Sequence, residues 1–363
     1  IQIVKMSEAF GALDLDVELV TPYRISKIKN NPFDYYSVKR VFRFKNKFSP
    51  DFYLPGKLNI FTLVVKNFIS GLILGAYALS KKSDIIYSRD ELIIFLLSFF
   101  VGSKKLIFEA HKFSPARKLF YKRFKSKNIK IVTISNGLKN DFVSFGFSES
   151  KLLVVPDGVD LEEFHLSVSK EEARKKADLP LDKKIVMYTG HLFEWKGAGV
   201  LLEAARNIAR PRHGEIIFVF VGGTEYDIQK FREKAKELDN VLILGHKSHK
   251  DIPIYLKAAD ILVLPNSAKE EISSKYTSPL KLFEYMASGR PIVASALPSI
   301  KEILNDRNSI LVKPDDPNSL LEGIGKVLEN SVLDKDLAQK AFEDVQNYTW
   351  QKRAETIFNF IQR

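Results

Sequence analysis

The chain of 363 residues has no cysteine, two tryptophans and three methionines. The absence of cysteine excludes disulfide bonds, cysteine-ligated zinc, iron–sulfur clusters and a thiol nucleophile. It fits a reducing compartment, and we expect a cytoplasmic protein without a signal peptide. Long apolar runs are also lacking. The longest, Ile69–Leu79 and Leu92–Gly102, are shorter than the roughly 20 residues that cross a bilayer, so the sequence predicts no spanning helix.

The composition that remains is that of a globular protein with more than one core. Hydrophobic residues make up 45% of the chain and charged residues 28%. The length favours two domains. The first residue is Ile, and the chain starts inside a helical pattern. We therefore expect that a first strand and the loop after it precede Ile1.

Positive charge is concentrated in the first half. Residues 1–160 hold 26 Lys and Arg against 14 Asp and Glu, whereas residues 161–363 hold 30 of each. The surplus indicates an anionic partner, such as a lipid surface, a phosphorylated acceptor or nucleic acid, or else a solvated lysine surface. Arg40–Lys57 is a basic segment with interspersed aromatics (Phe42, Phe44, Phe48, Phe52, Tyr53), and Leu92–Phe100 predicts an apolar helix. Together they predict a peripheral membrane contact.

Apolar runs typical of buried strands alternate with amphipathic helical patterns. This alternation predicts an α/β protein built of doubly wound parallel sheets. The boundary is expected near 160, where Pro156-Asp157-Gly158 has turn chemistry. The predicted strands are Val17–Thr21, Ile85–Ser88, Lys105–Phe108, Ile131–Ser135, Leu152–Pro156, Ile185–Gly190, Ile216–Gly222, Val241–Leu244, Ile261–Pro265 and Pro291–Ser295.

Glycine stands at the end of three successive strands in the second half. Gly190, Gly222 and Gly245 each follow an apolar run. Ligands of doubly wound sheets bind beyond the carboxyl ends of the strands, and glycine lets a ligand approach the backbone there. Lys196, in the loop after the first of these strands, would offer a point charge to a phosphate, although a loop lysine is more often simply solvated.

The segment Ser278–Gly289 predicts a short helix with both ends marked. Ser278 suits the N-cap, Pro279 the first helical position and Gly289 the residue after the C-cap. The N-terminus of such a helix attracts anions. Glu284 falls on the apolar face. It needs either a structural partner, such as a lysine, an arginine or a backbone N–H, or the hydroxyl groups of a ligand. It lies roughly 8 Å from the helix start, which suits the ribose of a nucleoside diphosphate.

Other candidate chemistry is weaker. His111 follows the strand Lys105–Phe108, where a histidine is more often structural than functional. Asp14-Leu15-Asp16 precedes a strand, so we interpret it as a turn and not as a metal site. His246 and His249 are three residues apart without a third ligand nearby. The chain has no P-loop and no dinucleotide-binding glycine motif.

Three segments resemble the retaining glycosyltransferases of the GT-B fold, family 4 (glycosyl transferases group 1). They are Val154–Phe164 (VVPDGVDLEEF), Tyr188–Gly197 (YTGHLFEWKG) and Ser278–Ser295 (SPLKLFEYMASGRPIVAS). The resemblance covers nearly the whole chain. It implies two Rossmann-like domains facing a cleft, an acceptor-binding domain at 1–160 with a C-terminal helix at 349–363, and a donor-binding domain at 161–348.

The resemblance also assigns roles to residues. Lys196 would neutralise the donor diphosphate, Glu284 would hold the ribose and His111 would touch the sugar. The remaining donor-binding residues would be Gly190, His191, Gly222, Gly245, His246, Lys247, Ser278, Pro279, Leu280 and Lys281, with the backbone N–H groups of Leu280 and Lys281 cradling phosphate. No metal and no cofactor are expected, because the nucleotide sugar is a co-substrate.

The chain departs from the family pattern at three places. Tyr276 stands eight residues before Glu284, where the family often has a second glutamate that contacts the donor sugar. His191 occupies the region of an arginine that is often paired with the lysine. The glycine-rich loop of the first domain is absent. Donor binding, which involves only the second domain, is expected not to depend on that loop.

The expected function is retaining transfer of a hexose from a UDP- or GDP-sugar to a lipid-linked or cell-surface glycan precursor. Two other functions remain open. A GT-B nucleotide-sugar epimerase would turn over the donor without an acceptor. A basic nucleic-acid-binding protein would need a groove with stacking aromatics and would leave the Glu284 helix without a role.

Overall fold

The computed structural model describes residues 1–23, 31–51, 54, 56, 58–164, 166–208 and 214–363. These residues divide into two compact units. The first unit is Ile1–Pro156 with Trp350–Arg363, and the second is Asp157–Thr349. The sequence analysis placed the division at 160 and at 349.

The strands of the described chain pair in parallel throughout the named ladders. In chain order they are β1 (Glu18–Pro22), β2 (Arg43–Lys47), β3 (Ile86–Ser88), β4 (Leu106–Ala110), β5 (Lys130–Thr133), β6 (Leu152–Val154), β7 (Lys184–Thr189), β8 (Ile216–Val221), β9 (Val241–Gly245), β10 (Ile261–Leu264), β11 (Ile292–Ser295) and β12 (Ile310–Val312).

Helices connect these strands. In chain order they are α1 (Gln2–Gly11), α2 (Pro32–Tyr35), α3 (Leu58–Ser80), α4 (Glu91–Leu97), α5 (Lys118–Ser126), α6 (Asn136–Ser144), α7 (Leu161–Phe164), α8 (Lys170–Ala177), α9 (Ala198–Asn207), α10 (Glu225–Ala235), α11 (Ile252–Ala258), α12 (Glu271–Ser274), α13 (Leu280–Ala287), α14 (Pro317–Glu329), α15 (Ser331–Val345) and α16 (Trp350–Gln362).

The second unit is one six-stranded sheet in the order β12-β11-β10-β7-β8-β9. Its strands are apolar on both faces because a helical layer covers each face. Met187 and Leu262 belong to the core on one face, and Val186 and Val263 to the core on the other. Since all strands are parallel, their carboxyl ends meet at one edge, which is where ligands bind in such sheets.

The first unit contains a four-stranded sheet in the order β3-β4-β5-β6 and a separate two-stranded sheet, β1-β2. The ten predicted strands are present, with ends that differ by one or two residues. The sequence analysis missed β2 and β12. Strand β2 (RFKNK) is mostly charged and exposed, which hides it in the segment interpreted as a basic–aromatic loop. Strand β12 has three residues.

Helix α3 corrects the prediction that no helix is long enough to span a membrane. Within it, Phe61–Ser80 forms 20 residues with a mean hydropathy of 1.6, of which 28% is buried, so by length and composition alone it could cross a bilayer. The predicted apolar run, Ile69–Leu79, begins only after Lys66. That lysine is 2% exposed and pairs with Asp51 at 2.7 Å, which lets the helix continue. Phe52 and Tyr53 lie outside the described residues.

The C-terminal helix α16 belongs to the first unit. Lys130 of β5 donates to the carbonyl oxygens of Phe360 at 2.8 Å and Ile361 at 3.0 Å. A cation that binds the last carbonyls of a helix stabilises its C-terminus. Arg353, in the first turn of α16, is buried and donates from Nε to the carbonyl of Pro156 at 2.9 Å.

Candidate active site

The three predicted glycines line the carboxyl edge of the second sheet. Gly190 follows β7 with φ of +124°, and Gly222 follows β8 with φ of +119°. The Gly222 N–H donates to the Gly245 carbonyl at 2.8 Å. A Cβ on Gly222 would lie 2.4 Å from the Gly190 carbonyl oxygen. Glycine is therefore required at 222, and the edge is lined by backbone.

Lys196 ends a single 3₁₀ turn, Glu194–Lys196, that follows β7. Its N–H donates to the Phe193 carbonyl at 2.9 Å, and its Nζ lies 4.0 Å from the centre of the Trp195 ring. Burial lowers the pKa of Lys196 to about 8. A partly desolvated ammonium group at this edge is a strong attractor for a phosphate, because little water remains to screen its charge.

Helix α13 differs from its prediction at its start. The helix begins at Leu280, Pro279 is the N-cap residue, and no side chain caps the terminus. The N-cap role predicted for Ser278 is wrong. Its hydroxyl instead accepts the backbone N–H of Asp157 at 2.8 Å, a contact between segments that are distant in sequence. Gly289, after the helix, has φ of +66°, as its predicted position requires. The uncapped terminus presents the N–H groups that bind anions.

The Lys281 side chain lies inside the unit and not at its surface. The prediction for Lys281 concerned its backbone only. Its Nζ lies 3.8 Å from the centre of the Tyr188 ring on β7. Burial, and then the positive charge of Lys196, hold the pKa of Lys281 well below its usual range, and Glu284 only partly opposes them.

Glu284 is 9% exposed, as expected for a carboxylate on the inner side of α13. Its Oε1 lies 3.2 Å from Nε2 of His249. The other ring nitrogen of His249, Nδ1, lies 4.0 Å from Glu163 Oε2. The sequence analysis considered a lysine, an arginine or a backbone N–H as the structural partner of Glu284. It noted His249 only as half of a histidine pair.

The remaining predicted donor-binding side chains lie nearer the surface. His191 is exposed and stacks on Phe193, with ring centres 4.9 Å apart. His246 is exposed after β9. Lys247 is half-buried, with its Nζ 5.6 Å from the centre of the Tyr255 ring. None of these contacts joins the three side chains to Lys196 or Glu284.

His111 lies in the first unit, directly after β4. Its Nε2 lies 2.6 Å from Glu109 Oε1. Glu109 is 2% exposed and is also bound by Arg353 Nη2 at 3.2 Å and Gln2 Nε2 at 3.1 Å. The Tyr87 hydroxyl donates to its second oxygen. Four side chains from four segments thus converge on one buried carboxylate, which fixes the position of His111.

The charge of Glu109 is stabilised by these contacts. Burial alone would raise the pKa of Glu109, but Arg353, His111 and Tyr87 outweigh it and hold the pKa far below its usual range. The sequence analysis missed both Glu109 and Arg353. Glu109 is the one charged residue of the apolar strand β4 (LIFEA), and this isolated charge was a signal for a buried site. Arg353 is 244 positions away and carries no local signal.

No group of three or more His, Cys, Asp or Glu side chains with metal-binding geometry occurs among the described residues.

Comparison with known proteins gives a family match within the second unit. Residues 169–344 match the family described as glycosyl transferases group 1. An uncharacterized glycosyltransferase of Methanocaldococcus jannaschii is 26% identical over 239 residues, covering 64% of this chain and 60% of that protein. An Escherichia coli UDP-Gal:alpha-D-GlcNAc-diphosphoundecaprenol alpha-1,3-galactosyltransferase is 29% identical over 193 residues, covering 50% of this chain and 46% of that one. The chain thus spans less than two thirds of these relatives.

Solved structures extend the similarity to the whole chain. Anabaena Alr3699/HepE in complex with UDP and glucose superposes with a TM-score of 0.76 at 15% identity, covering 99% of this chain and 94% of that one. Sucrose-phosphate synthase from Thermosynechococcus elongatus gives a TM-score of 0.75 at 20% identity, covering 99% and 92%. These similarities confirm the predicted GT-B fold.

Proposed function

The family match and the GT-B fold support a group 1 glycosyltransferase that uses nucleotide sugars, and we propose that it moves a hexose from a nucleoside-diphosphate donor to an acceptor hydroxyl with retention of configuration. One observation carries the proposal. In the second unit, a desolvated lysine, an uncapped helix N-terminus and a buried carboxylate share one edge of a parallel sheet.

Each of these groups matches one part of the donor. Lys196 and the N-terminus of α13 are positive and suit the diphosphate. Glu284 lies four residues after Leu280, about 6 Å further along the helix at 1.5 Å per residue, where its carboxylate suits two ribose hydroxyls. The glycines at 190, 222 and 245 let the nucleotide approach the backbone. A UDP donor is the first choice, because the Anabaena structure contains UDP.

The proposed chemistry breaks the bond between the anomeric carbon and the diphosphate oxygen. The acceptor oxygen attacks the same face of the oxocarbenium-like carbon, and its proton passes to a phosphate oxygen of the departing nucleotide. Lys196 and the helix terminus stabilise the negative charge that grows on the diphosphate. His111 is proposed to contact the transferred sugar. Since these groups supply the positive charge, we propose that transfer needs no metal ion, so EDTA should leave the rate unchanged.

A membrane-bound acceptor is the second part of the proposal. Phe61, Val64 and Phe68 are 65%, 63% and 49% exposed on α3 at spacings of three and four residues, so they share one helix face. Residues 1–160 carry the surplus of positive charge, which complements an anionic lipid surface at the cytoplasmic side. We propose that this face lies on the membrane surface and brings the enzyme to a lipid-linked acceptor.

Sedimentation with vesicles tests the membrane contact. Vesicles containing phosphatidylglycerol should carry the protein down at low salt, and Phe61→Ser with Phe68→Ser should abolish this. Binding that survives both substitutions would contradict the role of α3. Extraction with alkaline carbonate separates the two modes of attachment. A peripheral protein is released, whereas a spanning helix is retained.

Thermal shifts with UDP, GDP, ADP and dTDP test donor binding. One of them should raise the melting temperature of the wild type through mass action. The same nucleotide should fail to stabilise Lys196→Ala and Glu284→Ala, while Lys250→Ala, an exposed lysine of the same unit, should respond like the wild type. No shift with any nucleotide would contradict the proposal. Donor turnover without an acceptor would indicate the epimerase instead.

A further inference from the structure

The amine of Lys281 is buried and has no hydrogen-bond partner among the described residues. The residue is 8% exposed, and its Nζ makes no hydrogen bond with any residue that the structure describes. A buried ammonium group that is neither paired nor hydrogen-bonded costs folding free energy. Buried polar groups are nearly always satisfied, so an exception at this place suggests a partner that joins later.

Nζ of Lys281 lies at the glycine-lined edge of the second sheet. Nζ lies 3.8 Å from the centre of the Tyr188 ring, and 3.7 Å from the point that a Cβ on Gly190 would occupy. The aromatic ring offsets part of the cost of the charge. The side chain thus runs from the start of α13 to the end of β7, and its ammonium group lies beside a residue that has no side chain.

The positive charge of Lys196 acts on Lys281 at this edge. Burial is the largest cause of the lowered pKa of Lys281 and the charge of Lys196 is the second, whereas Glu284 opposes them. Tyr188 from β7, Lys196 from the following turn and Glu284 from α13 are the titratable groups around it. Burial lowers the pKa of Lys196. A dianion bound beside both lysines would favour their charged forms.

We propose that the Lys281 side chain is the second cation of the diphosphate site, and that it takes up a proton when the diphosphate binds. The inference rests on the proposed function. It also accounts for His191, which occupies the region where the family often has an arginine paired with the lysine. His191 stacks on Phe193 at the surface, so the second positive charge comes from α13 and not from the loop. Burial without a partner favours the neutral amine of Lys281 in the empty site, and a bound diphosphate favours its ammonium form.

Calorimetry of the wild type tests proton uptake without any substitution. The nucleoside diphosphate that stabilises the protein in the thermal-shift panel is titrated at pH 7.5 in phosphate, HEPES and Tris, whose ionisation enthalpies differ. Lys196, with its pKa of about 8, is mostly protonated at this pH and accounts for at most about a quarter of a proton. Uptake near one proton supports the proposal. Uptake of no more than about a quarter of a proton, the share of Lys196, overturns it.

Two variants then assign the proton to Lys281. Lys281→Met keeps an unbranched side chain that is one heavy atom shorter and has no amine. It should weaken binding of the nucleoside diphosphate at least tenfold, leave affinity for the free nucleoside unchanged and abolish the extra uptake. Lys281→Arg is charged before and after binding, so it should bind with no more uptake than Lys196 supplies, even if the methionine variant fails to fold.

The outcomes separate the two proposals. Failure of all four nucleotides to bind the wild type overturns the proposed function and this inference together. Binding that Lys281→Met leaves intact, while Lys196→Ala and Glu284→Ala lose it, overturns only the role of Lys281. Equal loss of diphosphate and nucleoside affinity in Lys281→Met would indicate a packing role and also overturn it.

Discussion

Nε2 of His249 lies 3.2 Å from the Glu284 carboxylate and so fixes a group that sequence reasoning assigns to the donor ribose. His249 begins the short turn His249–Asp251 before α11, whereas Glu284 lies on α13. The histidine occupies Oε1. A ligand would then bind the remaining oxygen, Oε2, in a carboxylate whose rotamer is already set, which reduces the entropy lost on binding.

Substitution of His249 should therefore weaken nucleotide binding indirectly. In His249→Gln the carboxylate loses this partner or gains a poorly placed one. A hydrogen bond to a charged group contributes about 1.5–3 kcal/mol, so we expect a loss of roughly 10- to 150-fold in affinity for the stabilising nucleotide. Calorimetric titration of purified variants measures it.

Lys250→Gln is the matched control for His249→Gln. Lys250 is the next residue in the same turn and is exposed. Its variant should bind the nucleotide as the wild type does. Equal affinity of His249→Gln and the wild type would show that Glu284 needs no orienting partner.

The lowered pKa of Lys196 predicts how binding depends on pH. The protonated lysine attracts the diphosphate, and in the free protein its pKa is about 8. Below pH 8 this group is charged before and after binding, so it adds no pH dependence. Above pH 8 binding requires a proton, and affinity should fall by up to about tenfold per pH unit.

Titrations between pH 7 and 9.5 measure this dependence, and Lys196→Arg tests its origin. Arginine stays charged throughout this range, so the part of the decline that belongs to position 196 should disappear in the variant. A decline of the same size in Lys196→Arg would assign the titration to another group.

Glu109 should be essential for the stability of the first unit. Glu109→Gln leaves Arg353 buried without its counter-ion, and breaking a buried pair in this way costs about 3–5 kcal/mol. Urea denaturation of the wild type and the variant measures the loss. Because the pKa of Glu109 is lowered in the folded protein, its contribution is present above the unfolded pKa and is lost as the pH falls.

Glu149→Gln provides the same chemical change at the surface of the same unit. Glu149 pairs with Lys139 at 2.7 Å, but its side chain is 71% exposed and solvent screens the pair, so the loss of stability should be far smaller than that of Glu109→Gln. If both variants lose the same stability, the convergence of partners on Glu109 has no energetic importance.

The sequence predicted ten of the twelve described strands and the glycines at the strand ends, whereas the roles of the site residues stay predictions. Apolar runs are strong signals because parallel strands are buried on both faces, and glycine at strand ends marks where backbone must approach backbone. The site residues Gly190, Gly222 and Gly245 were found in this way, and the structure gives each a positive φ. Lys196 was found because it follows a strand.

Partners across the chain were not predictable. The hydroxyl of Ser278 has the right chemistry for an N-cap, yet it accepts a hydrogen bond from Asp157, which is 121 residues away. In the sequence, Lys281 is indistinguishable from a surface lysine of a helix. Only the fold shows that its amine lies against the ring of Tyr188. Helix α3 was underestimated because Lys66 interrupts its apolar pattern, and only the fold supplies Asp51 as a partner.

Gly222 offers a test of whether the backbone-lined edge is required. In Gly222→Ala the new Cβ would lie 2.4 Å from the Gly190 carbonyl oxygen, at a φ of +119° that alanine rarely adopts. Strain and displacement together should cost about 1–3 kcal/mol of unfolding free energy or more. Gly325→Ala, inside α14 with no atom closer than 4.0 Å to the new Cβ, should instead stabilise the protein by up to about 1 kcal/mol. Opposite shifts of the urea midpoint would support the close approach of strands β7 and β8, whereas stabilisation of both variants would contradict it.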